Sequence, residues 1–279
     1  MTRLRTRRGI GLLAFATVMA IGCVLLGLWQ LDRYEQRAER NDAVREALAA
    51  DPVPLETLVA TAGSAESSAA GSADGSPVDQ GVEWRAVTVR GTYDDAGTVT
   101  LRLRPIEGQS GVHVLTPLIT EDGTTVLVDR GFLTTTTRDT EAVDVPPAAS
   151  GTVEVVGRAR LSEGVAAAGL DPDSAPPSIR FVNLDDLEQV GVLGGSDTAG
   201  DTTSASGAAG GGVAPVWLER VDQSPAEDPA LAAIPAPTLS SGTSLIYAVQ
   251  WFIFGVIAVV GYVLLVRREA RTQKAEPSS

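Results

Sequence analysis

The chain has 279 residues, a formal net charge of −13, one cysteine and one histidine. The acidic balance disfavours a nucleic-acid-binding protein, because such proteins present basic patches. The single cysteine excludes an intrachain disulfide, and with only one histidine the chain cannot build a zinc site from cysteine and histidine ligands.

Two apolar runs lie near the two ends of the chain, at residues 10–29 and 245–266. Neither contains Lys, Arg, Asp or Glu. Each is close to the roughly 20 residues that a helix needs to cross the hydrocarbon core of a bilayer. The sequence therefore predicts transmembrane helices at residues 10–30 and 245–266.

The charges beside the two runs predict their orientation. Four arginines and no acid precede the first run, and basic residues outnumber acidic ones after the second. Because basic flanks stay in the cytoplasm, we expect a cytoplasmic N-terminus (residues 1–9) and tail (residues 267–279), with an acidic extracytoplasmic region between the spans. No long, basic, acid-poor transit segment precedes the first run, which favours a bacterial plasma membrane.

The first run has two rival interpretations. It is longer than a typical signal-peptide core, and no clear cleavage site precedes Trp29. Residues 20–23 (AIGC) loosely resemble a lipoprotein-processing site, but the chain stays apolar after Cys23. A small packing cysteine in a membrane helix is the favoured interpretation, and lipidation of Cys23 stays open.

The chain after the first run predicts a membrane-proximal helix at residues 31–51, which is rich in helix formers and stops at Asp51-Pro52. Residues 52–81 contain a stretch of mostly Ala, Ser and Gly, which predicts a flexible linker.

The central region predicts a β-rich domain at residues 82–222, because apolar and polar residues alternate in short runs. The predicted strands are residues 84–93, 98–104, 111–120, 124–133, 152–161, 179–183 and 215–221, with a short helix at 185–190. Gly123 suits a hairpin turn. Residues 191–214, rich in Gly, Ser and Thr, predict a disordered insertion, and residues 223–244 a stiff, Pro-rich linker.

The predicted fold class is therefore a membrane protein in which N- and C-terminal transmembrane helices flank a small, mostly antiparallel β (α+β) extracytoplasmic domain. His113 falls on a predicted strand, where a half-buried structural histidine is the favoured interpretation. It is also the one histidine that a Ser-His-Asp triad could use.

The second run carries a stripe of polar and aromatic residues. Tyr247, Gln250, Trp251 and Phe254 follow the i, i+3, i+4, i+7 spacing of one helix face. An interfacial aromatic belt explains Tyr247 and Trp29, but the amide of Gln250 lies deeper and needs a partner. We expect this stripe to dock the first helix, a partner helix or a flat apolar ligand.

Four motifs, in order along the chain, resemble those of one known family. Residues 27–33 (GLWQLDR) resemble G-x-W-Q-x-x-R, and residues 111–118 (GVHVLTPL) resemble G-x-x-V-x-T-P-L. Residues 126–132 (VLVDRGF) are similar to V-L-V-N-R-G-W, and residues 247–252 (YAVQWF) to Y-A-x-x-W-F. The chain thus resembles the Surfeit locus protein 1 family, the assembly factors of cytochrome c oxidase.

The resemblance implies an assembly factor, not an enzyme, with partners among cytochrome c oxidase subunits, proteins of haem a biosynthesis or delivery, and membrane lipid. Some bacterial members bind haem a, and many carry a histidine where this chain has Ser244, so the resemblance leaves direct haem ligation in question. The candidate face for haem or a partner helix comprises Trp29, Gln30, Arg33, Tyr247, Gln250 and Trp251.

Two arginines within these motifs have both functional and structural interpretations. Arg33 lies about one turn beyond the membrane exit, where it would meet a lipid phosphate or a haem propionate, or pair with Asp32 or Glu35. Arg130 ends a strand, and a structural ion pair with Asp129 or a neighbouring strand is the favoured interpretation. The glycine after it is expected to permit a turn.

Two other classes of function remain open from the sequence. One is a generic bispanning extracytoplasmic binding or sensor protein. The other is a membrane-bound hydrolase, which would need a pair of close carboxylates or a His113-based mechanism.

Overall fold

The computed structural model describes residues 7–66, 81–135, 142–163, 167–194, 211–240, 242 and 244–274. The chain divides into two compact units. One comprises residues 1–42 and 238–279, and the other residues 43–237.

The first unit contains most of one long helix, α1 (Arg7–Ala49), and all of another, α4 (Ser244–Lys274). Both are long and apolar enough to cross a membrane. The predicted transmembrane and membrane-proximal helices form the single helix α1, which ends before Pro52, a residue that lacks the backbone N–H needed to continue it. The prediction of apolar helices at both ends of the chain is confirmed.

Small residues let α1 and α4 approach closely. Cys23 and Gly27 on α1 and Ala248 and Gly255 on α4 are all buried. A Cβ atom added to Gly27 would lie 2.7 Å from a ring carbon of Phe252, and one added to Gly255 would lie 3.4 Å from the Cβ of Cys23. Membrane helices associate through such close backbone packing, so these contacts define the antiparallel register of the pair.

Among the residues that the structure describes, the second unit includes eight strands and two short α-helices. The strands are β1 (Val53–Pro54), β2 (Ala86–Tyr93), β3 (Val99–Leu101), β4 (Gly111–Thr120), β5 (Thr125–Thr134), β6 (Thr152–Leu161), β7 (Ser178–Ile179) and β8 (Val216–Ser224), and the helices are α2 (Leu55–Glu66) and α3 (Leu184–Gln189).

The strands form one sheet in the order β1-β2-β6-β8-β5-β4-β3-β7, and β2 also pairs with β4. This extra pairing closes β2, β6, β8, β5 and β4 into a five-stranded barrel, which removes their free edges. Within the barrel the neighbours are antiparallel except for β5 and β8, which run parallel. The outer pairs β1–β2 and β3–β7 are also parallel. The predicted β-rich domain is confirmed, and its closure into a barrel is a finding of the structure.

Alternating side chains fill two cores on opposite faces of the sheet. Val128, Val155 and Leu218 belong to the first core, inside the barrel, together with Leu55 and Leu58 of α2. The second core, outside the barrel, includes side chains from β3, β4, β5, β8 and α3: Leu101, Leu115, Leu127, Trp217 and Leu187.

Two segments expected to be flexible contribute to these cores. Residues 53–66 form β1 and α2, because Leu55 and Leu58 pack into the barrel core and only 4% of each is exposed. Leu193 and Ala214, at the edges of the expected insertion, are also buried. The Ala/Ser/Gly stretch at residues 67–80 and residues 195–210 of the insertion lie outside the described residues.

The hairpin between β4 and β5 forms where the sequence predicts it. Gly123 has a φ of +84°, a left-handed conformation that glycine adopts without a steric penalty. The Asp122 carboxylate accepts hydrogen bonds from Thr120 and Thr124, which hold the turn.

Candidate functional site

The stripe on α4 lies beside the surface that packs against α1. The contact surface contains Ser244, Ala248 and Gly255, all buried, whereas Tyr247 and Gln250 are exposed. Successive residues are rotated by about 100°, which turns Tyr247 and Gln250 away from the centre of this surface, whereas Trp251 lies close to it. The exposed side chains of Tyr247 and Gln250 are therefore available to something other than α1.

The aromatic rings of this stripe support one another. Trp251 is half-buried and its ring packs edge-on against Phe254, with 5.9 Å between the ring centroids. Edge-to-face packing of this kind is a favoured geometry for aromatic pairs. It gives the exposed part of α4 a preorganised apolar surface.

On α1 the candidate residues sit where the apolar run ends. The side chain of Trp29 is 53% exposed, Gln30 is half-buried and Arg33 is exposed. The Arg33 guanidinium lies 5.7 Å from the centroid of the Trp29 ring, within the range of a cation–π contact. Arg33 therefore extends back along the helix toward the apolar run.

The register of the two helices shows which candidate residues of α1 and α4 lie at the same level. The contacts between Gly27 and Phe252 and between Cys23 and Gly255 put Arg33 near the level of Tyr247, and helical periodicity places both on the same side of the pair. Trp29 and Gln250 point farther away from the partner helix. Among the residues that the structure describes, no recorded contact joins the α1 set directly to the α4 set.

Ser244, at the position where the resembled family often has histidine, is engaged in a structural contact. Its side-chain oxygen accepts a hydrogen bond of 3.1 Å from Nη1 of Arg37, and the residue is only 6% exposed. A buried serine hydroxyl in this role does not fit the axial ligation of a haem iron, for which histidine, cysteine, methionine or tyrosine is used.

His113 lies on β4, buried as a strand histidine should be. Its Nδ1 atom is 2.7 Å from Oδ2 of Asp129, and the Phe132 ring packs edge-on at 5.4 Å. The other carboxylate oxygen of Asp129 accepts a hydrogen bond from the Gly131 backbone N–H. The Phe132 ring and the Gly131 backbone thus help to fix the positions of His113 and Asp129.

The environment raises the pKa of both partners. Burial favours the neutral imidazole of His113, but hydrogen bonding and attraction to Asp129 outweigh this, so its pKa lies above the ordinary 6.5. Burial raises the pKa of the Asp129 carboxyl, and the contact with His113 opposes that rise. In the folded domain the pair therefore retains a proton more strongly than the separate groups do.

A histidine oriented by a carboxylate is also part of a hydrolytic triad. Within the described part of the chain, no serine, threonine or cysteine side chain is recorded in a hydrogen bond with His113. The same part of the chain contains no group of three or more His, Cys, Asp or Glu residues that could hold a metal ion. The observed contacts of the pair are structural.

Arg130 is fully buried, and its partner is one that the sequence did not suggest. Its Nε and Nη2 atoms donate to the two carboxylate oxygens of Glu227 at 3.0 and 2.8 Å. Its remaining donors reach the carbonyls of Pro146 and Pro147. The expected structural ion pair exists, but with Glu227 and not with Asp129, because neighbouring strand residues point to opposite faces of the sheet.

Electrostatics at this pair favour the charged forms. Burial alone would raise the pKa of Glu227, but the hydrogen bonds from Arg130 more than compensate, so its pKa lies below the ordinary value. The Tyr93 ring lies 5.7 Å from the Arg130 guanidinium, and burial raises the pKa of its phenol. Tyr93 donates a hydrogen bond of 2.7 Å to Gln223.

Residues 225–237, part of the segment expected to be a stiff Pro-rich linker, form a strap that lies across the barrel. Ala232 and Phe132 exchange two backbone hydrogen bonds of 2.9 Å each. Arg220 and Arg158 donate to the carbonyls of Leu231 and Ile234. Proline removes backbone donors but keeps acceptors, so a Pro-rich segment is well suited to being held by arginine side chains.

Gly131 shows how closely the strap approaches β5. A Cβ atom at this position would lie 2.7 Å from the carbonyl oxygen of Ala232. The residue lies within β5 at a φ of +144°. It therefore permits a close approach of two backbones, and not the turn that the sequence suggested.

A second row of charges crosses the outer face of the barrel. Glu219 on β8 receives hydrogen bonds from Arg158 and Arg160 on β6. The Arg160 guanidinium also lies 3.9 Å from the centroid of the Trp84 ring. Sequence reasoning did not single out these residues, although their period-2 alternation with apolar neighbours was visible.

These observations define a class: a membrane protein with two candidate membrane-spanning helices and a β-barrel domain encoded between them. The SURF1 family model matches residues 17–256, which include most of α1, the first part of α4 and the whole barrel. The chain belongs to the SURF1 family, as the sequence motifs indicated.

Relatives from three organisms support this assignment. The chain is 30% identical over 273 residues to an uncharacterized SURF1-like protein of Mycobacterium tuberculosis. This alignment covers 95% of this chain and 87% of the relative. It is 28% identical over 158 residues to Surfeit locus protein 1 of Takifugu rubripes, covering 50% and 57% of the two chains. A SURF1-like protein of Dictyostelium discoideum is 30% identical over 132 residues, covering 47% and 45%.

Proposed function

We propose that this protein is an assembly factor for a haem–copper cytochrome c oxidase and that it acts by binding, without catalysing a reaction. The observation that carries the proposal is the SURF1 family match, which spans residues 17–256 and thus includes the candidate face on both helices. The domain organisation agrees, because an assembly factor of a membrane enzyme needs a membrane anchor and a binding domain.

The proposed binding surface is the candidate face formed by Trp29, Gln30, Arg33, Tyr247, Gln250 and Trp251. The exposed amide of Gln250 supports it, because a polar side chain facing lipid is costly and is satisfied best by a partner in the membrane. A transmembrane helix of a nascent oxidase subunit would supply such a partner. Haem a remains a second ligand for the apolar surface of Trp251 and Phe254.

Direct ligation of haem iron forms no part of the proposal. The position at which the family resemblance implies a histidine is Ser244, whose hydroxyl is buried and accepts a hydrogen bond from Arg37. We place the barrel on the extracytoplasmic side of the plasma membrane, as the basic flanks of the two spans indicate. There it would steady an oxidase subunit as that subunit acquires its cofactors.

Complementation with single variants tests this surface. In cells that lack the protein, wild type should restore haem a absorbance and oxidase activity, and Gln250→Ala or Trp29→Ala should restore much less. Val249→Ala is the matched control, because Val249 is 51% exposed on the same turn of α4 but outside the stripe.

The possible outcomes test the proposed binding surface and the proposed assembly function separately. Full rescue by Gln250→Ala and Trp29→Ala at wild-type protein levels would contradict the binding surface while leaving the assembly role in place. Normal oxidase content without any copy of the protein would contradict a required assembly role. A generic extracytoplasmic binding or sensor protein would then be the better description.

A further inference from the structure

The charges between residues 32 and 42 of α1 are sorted by sign around the helix. Successive residues are rotated by about 100°, so Arg33, Arg37 and Arg40 fall within one narrow sector. All three are exposed, and we call this sector the arginine face. The opposite sector carries acidic residues: Asp32, Glu35, Glu39 and Asp42.

This arrangement is unfavourable for a helix that faces only water. Arg33 and Arg37 are four residues apart and Arg37 and Arg40 are three apart, so like charges are neighbours on the helix surface. A solvated helix gains stability when opposite charges alternate at these spacings. The sorting therefore points to an anionic partner for the arginine face outside the helix.

The position of the arginine face indicates which anion it meets. Trp29 lies at the end of the apolar run, where tryptophan commonly marks the membrane–water interface. At a rise of about 1.5 Å per residue, the backbone of Arg33 lies about 6 Å beyond Trp29 and that of Arg37 about 12 Å beyond. The headgroup region adds about 5–7 Å on each side of the hydrocarbon core. The backbone of Arg33 therefore lies within this region, and the long side chain of Arg37 reaches toward it from just beyond.

The direction of the side chains strengthens the argument. Side chains on a helix lean toward its N-terminus, which for this part of α1 is the direction of the apolar run. Arg33 shows this directly, because its guanidinium lies 5.7 Å from the Trp29 ring. The guanidinium groups thus extend toward the headgroup layer.

Arg37 is held at this level by the second helix. It donates through Nη1 to Ser244, and a Cβ atom at Gly242 would lie 2.5 Å from that nitrogen. A guanidinium has five N–H donors, so the bond to Ser244 leaves others for a phosphate. Arg33 and Arg37 are therefore positioned side by side, next to the start of α4.

We propose that the arginine face binds the phosphate groups of anionic phospholipids at the membrane surface. Arginine is suited to this role because its planar fork donates two parallel hydrogen bonds to a phosphate. The acidic sector on the other side of the helix would repel the same phosphates. Binding is therefore confined to the arginine face. This inference does not depend on a role in oxidase assembly.

Lipid binding to the purified full-length protein tests the proposal. In an uncharged detergent, native mass spectrometry would compare the occupancy of dihexanoylphosphatidylglycerol with that of dihexanoylphosphatidylcholine. An arginine near an anionic lipid contributes about a fivefold gain in affinity. We expect the wild type to prefer the anionic lipid by roughly tenfold or more on this basis, and the R33Q/R37Q/R40Q variant to lose the preference.

Two further variants make the test specific. D32N/E35Q/E39Q changes three charges on the opposite sector of the same helix and should keep the preference for anionic lipid. R33Q alone retains the Arg37–Ser244 bond and should lower the preference more than R40Q, because Arg40 lies farther from Trp29. This order distinguishes a headgroup site from a general effect of net charge.

Several results would overturn the proposal. Equal occupancy by the two lipids in the wild type, or an unchanged preference in both R33Q and the triple variant, would do so. Full displacement of the lipid by inorganic phosphate at a similar concentration would indicate a site for free phosphate. Loss of a co-purifying protein from the triple variant with lipid preference intact would assign the arginine face to an acidic protein partner.

Discussion

Arg130 and Glu227 form an ion pair from which water is almost completely excluded, with side-chain exposures of 0% and 3%. Removing one member of such a pair leaves the other charge buried without compensation. The exposed pair of Arg90 and Glu154, with exposures of 64% and 53%, offers the opposite case. Exposed pairs contribute little because water already solvates both charges.

Glu227→Gln should therefore lower the free energy of unfolding of the barrel by about 3 kcal/mol. Glu154→Gln, the control, should change it by less than about 1 kcal/mol. Chemical denaturation of the full-length protein, followed by the fluorescence of Trp84 and Trp217, measures both. Equal small effects would show that the strap does not depend on this pair.

His113 and Asp129 make stability depend on pH with a defined sign. Both pKa values are raised in the folded domain, so the folded state binds protons more strongly than the unfolded state. The contribution of Asp129 is fully present below its ordinary pKa of 3.8 and is lost as the pH rises above that value, and the contribution of His113 is lost as the pH rises above 6.5.

The H113Q/D129N variant, which removes both titrating groups, should therefore have a flatter profile of Tm against pH between pH 5 and 8. Relative to this variant, the wild type should lose Tm as the pH rises. A wild type that gains Tm over the same range, compared with the variant, would show that the pair has the opposite linkage.

At the scale of residues, the sequence identified chemically unusual positions but not their partners. His113 was singled out as the only histidine, and Arg130 as a strand-end arginine. Glu227 lies 97 residues beyond Arg130, and no periodicity connects residues so far apart. Tertiary structure alone brings them together.

The helix pair permits a direct test of its register, because Cys23 is the only cysteine. A Cβ atom at Gly255 would lie 3.4 Å from the Cβ of Cys23, close to the separation of about 3.8 Å in disulfides. Gly255→Cys should form an intrachain disulfide on mild oxidation. Gly261→Cys should not, because nothing lies within 4 Å of that position. The mobility of the full-length protein on non-reducing gels reports both outcomes.

The strap is a second element whose contacts with the barrel can be tested one at a time. Ala232→Pro removes the N–H that donates to Phe132, so deuterium uptake in peptides spanning residues 225–237 should increase. Ala233→Pro is the neighbouring control, because no backbone hydrogen bond is recorded for Ala233. Similar uptake in both variants would mean that this bond does not hold the strap.

At the scale of elements, periodicity predicted most strands and both long helices, since each buries an alternating or continuous apolar surface. It did not predict β1 and α2, because the apolar residues between Val53 and Val59 form a run too short to indicate a helix, and their burial depends on contacts with the barrel core. Nor did it predict the strap, because prolines indicate an extended chain without indicating what it lies against.

At the scale of the whole molecule, the SURF1 family match and the two candidate spans agree with the organisation that the sequence predicted. The candidate face itself was predicted from the helical spacing of its α4 residues and from motif resemblance. The structure adds the contacts of Arg33 with Trp29 and of Arg37 with Ser244, which neither signal contained. The proposed assembly role concerns the molecule as a whole, so its test uses the full-length protein in its membrane.

The most direct test is the haem a absorbance of membranes from cells that lack this protein, measured before and after its re-expression, with b-type cytochromes in the same membranes as the internal reference. We predict that haem a absorbance and oxidase activity fall while the b-type signal is retained, and that the wild-type protein restores both. An unchanged haem a signal and oxidase activity in the deletion strain would contradict a required role in oxidase assembly.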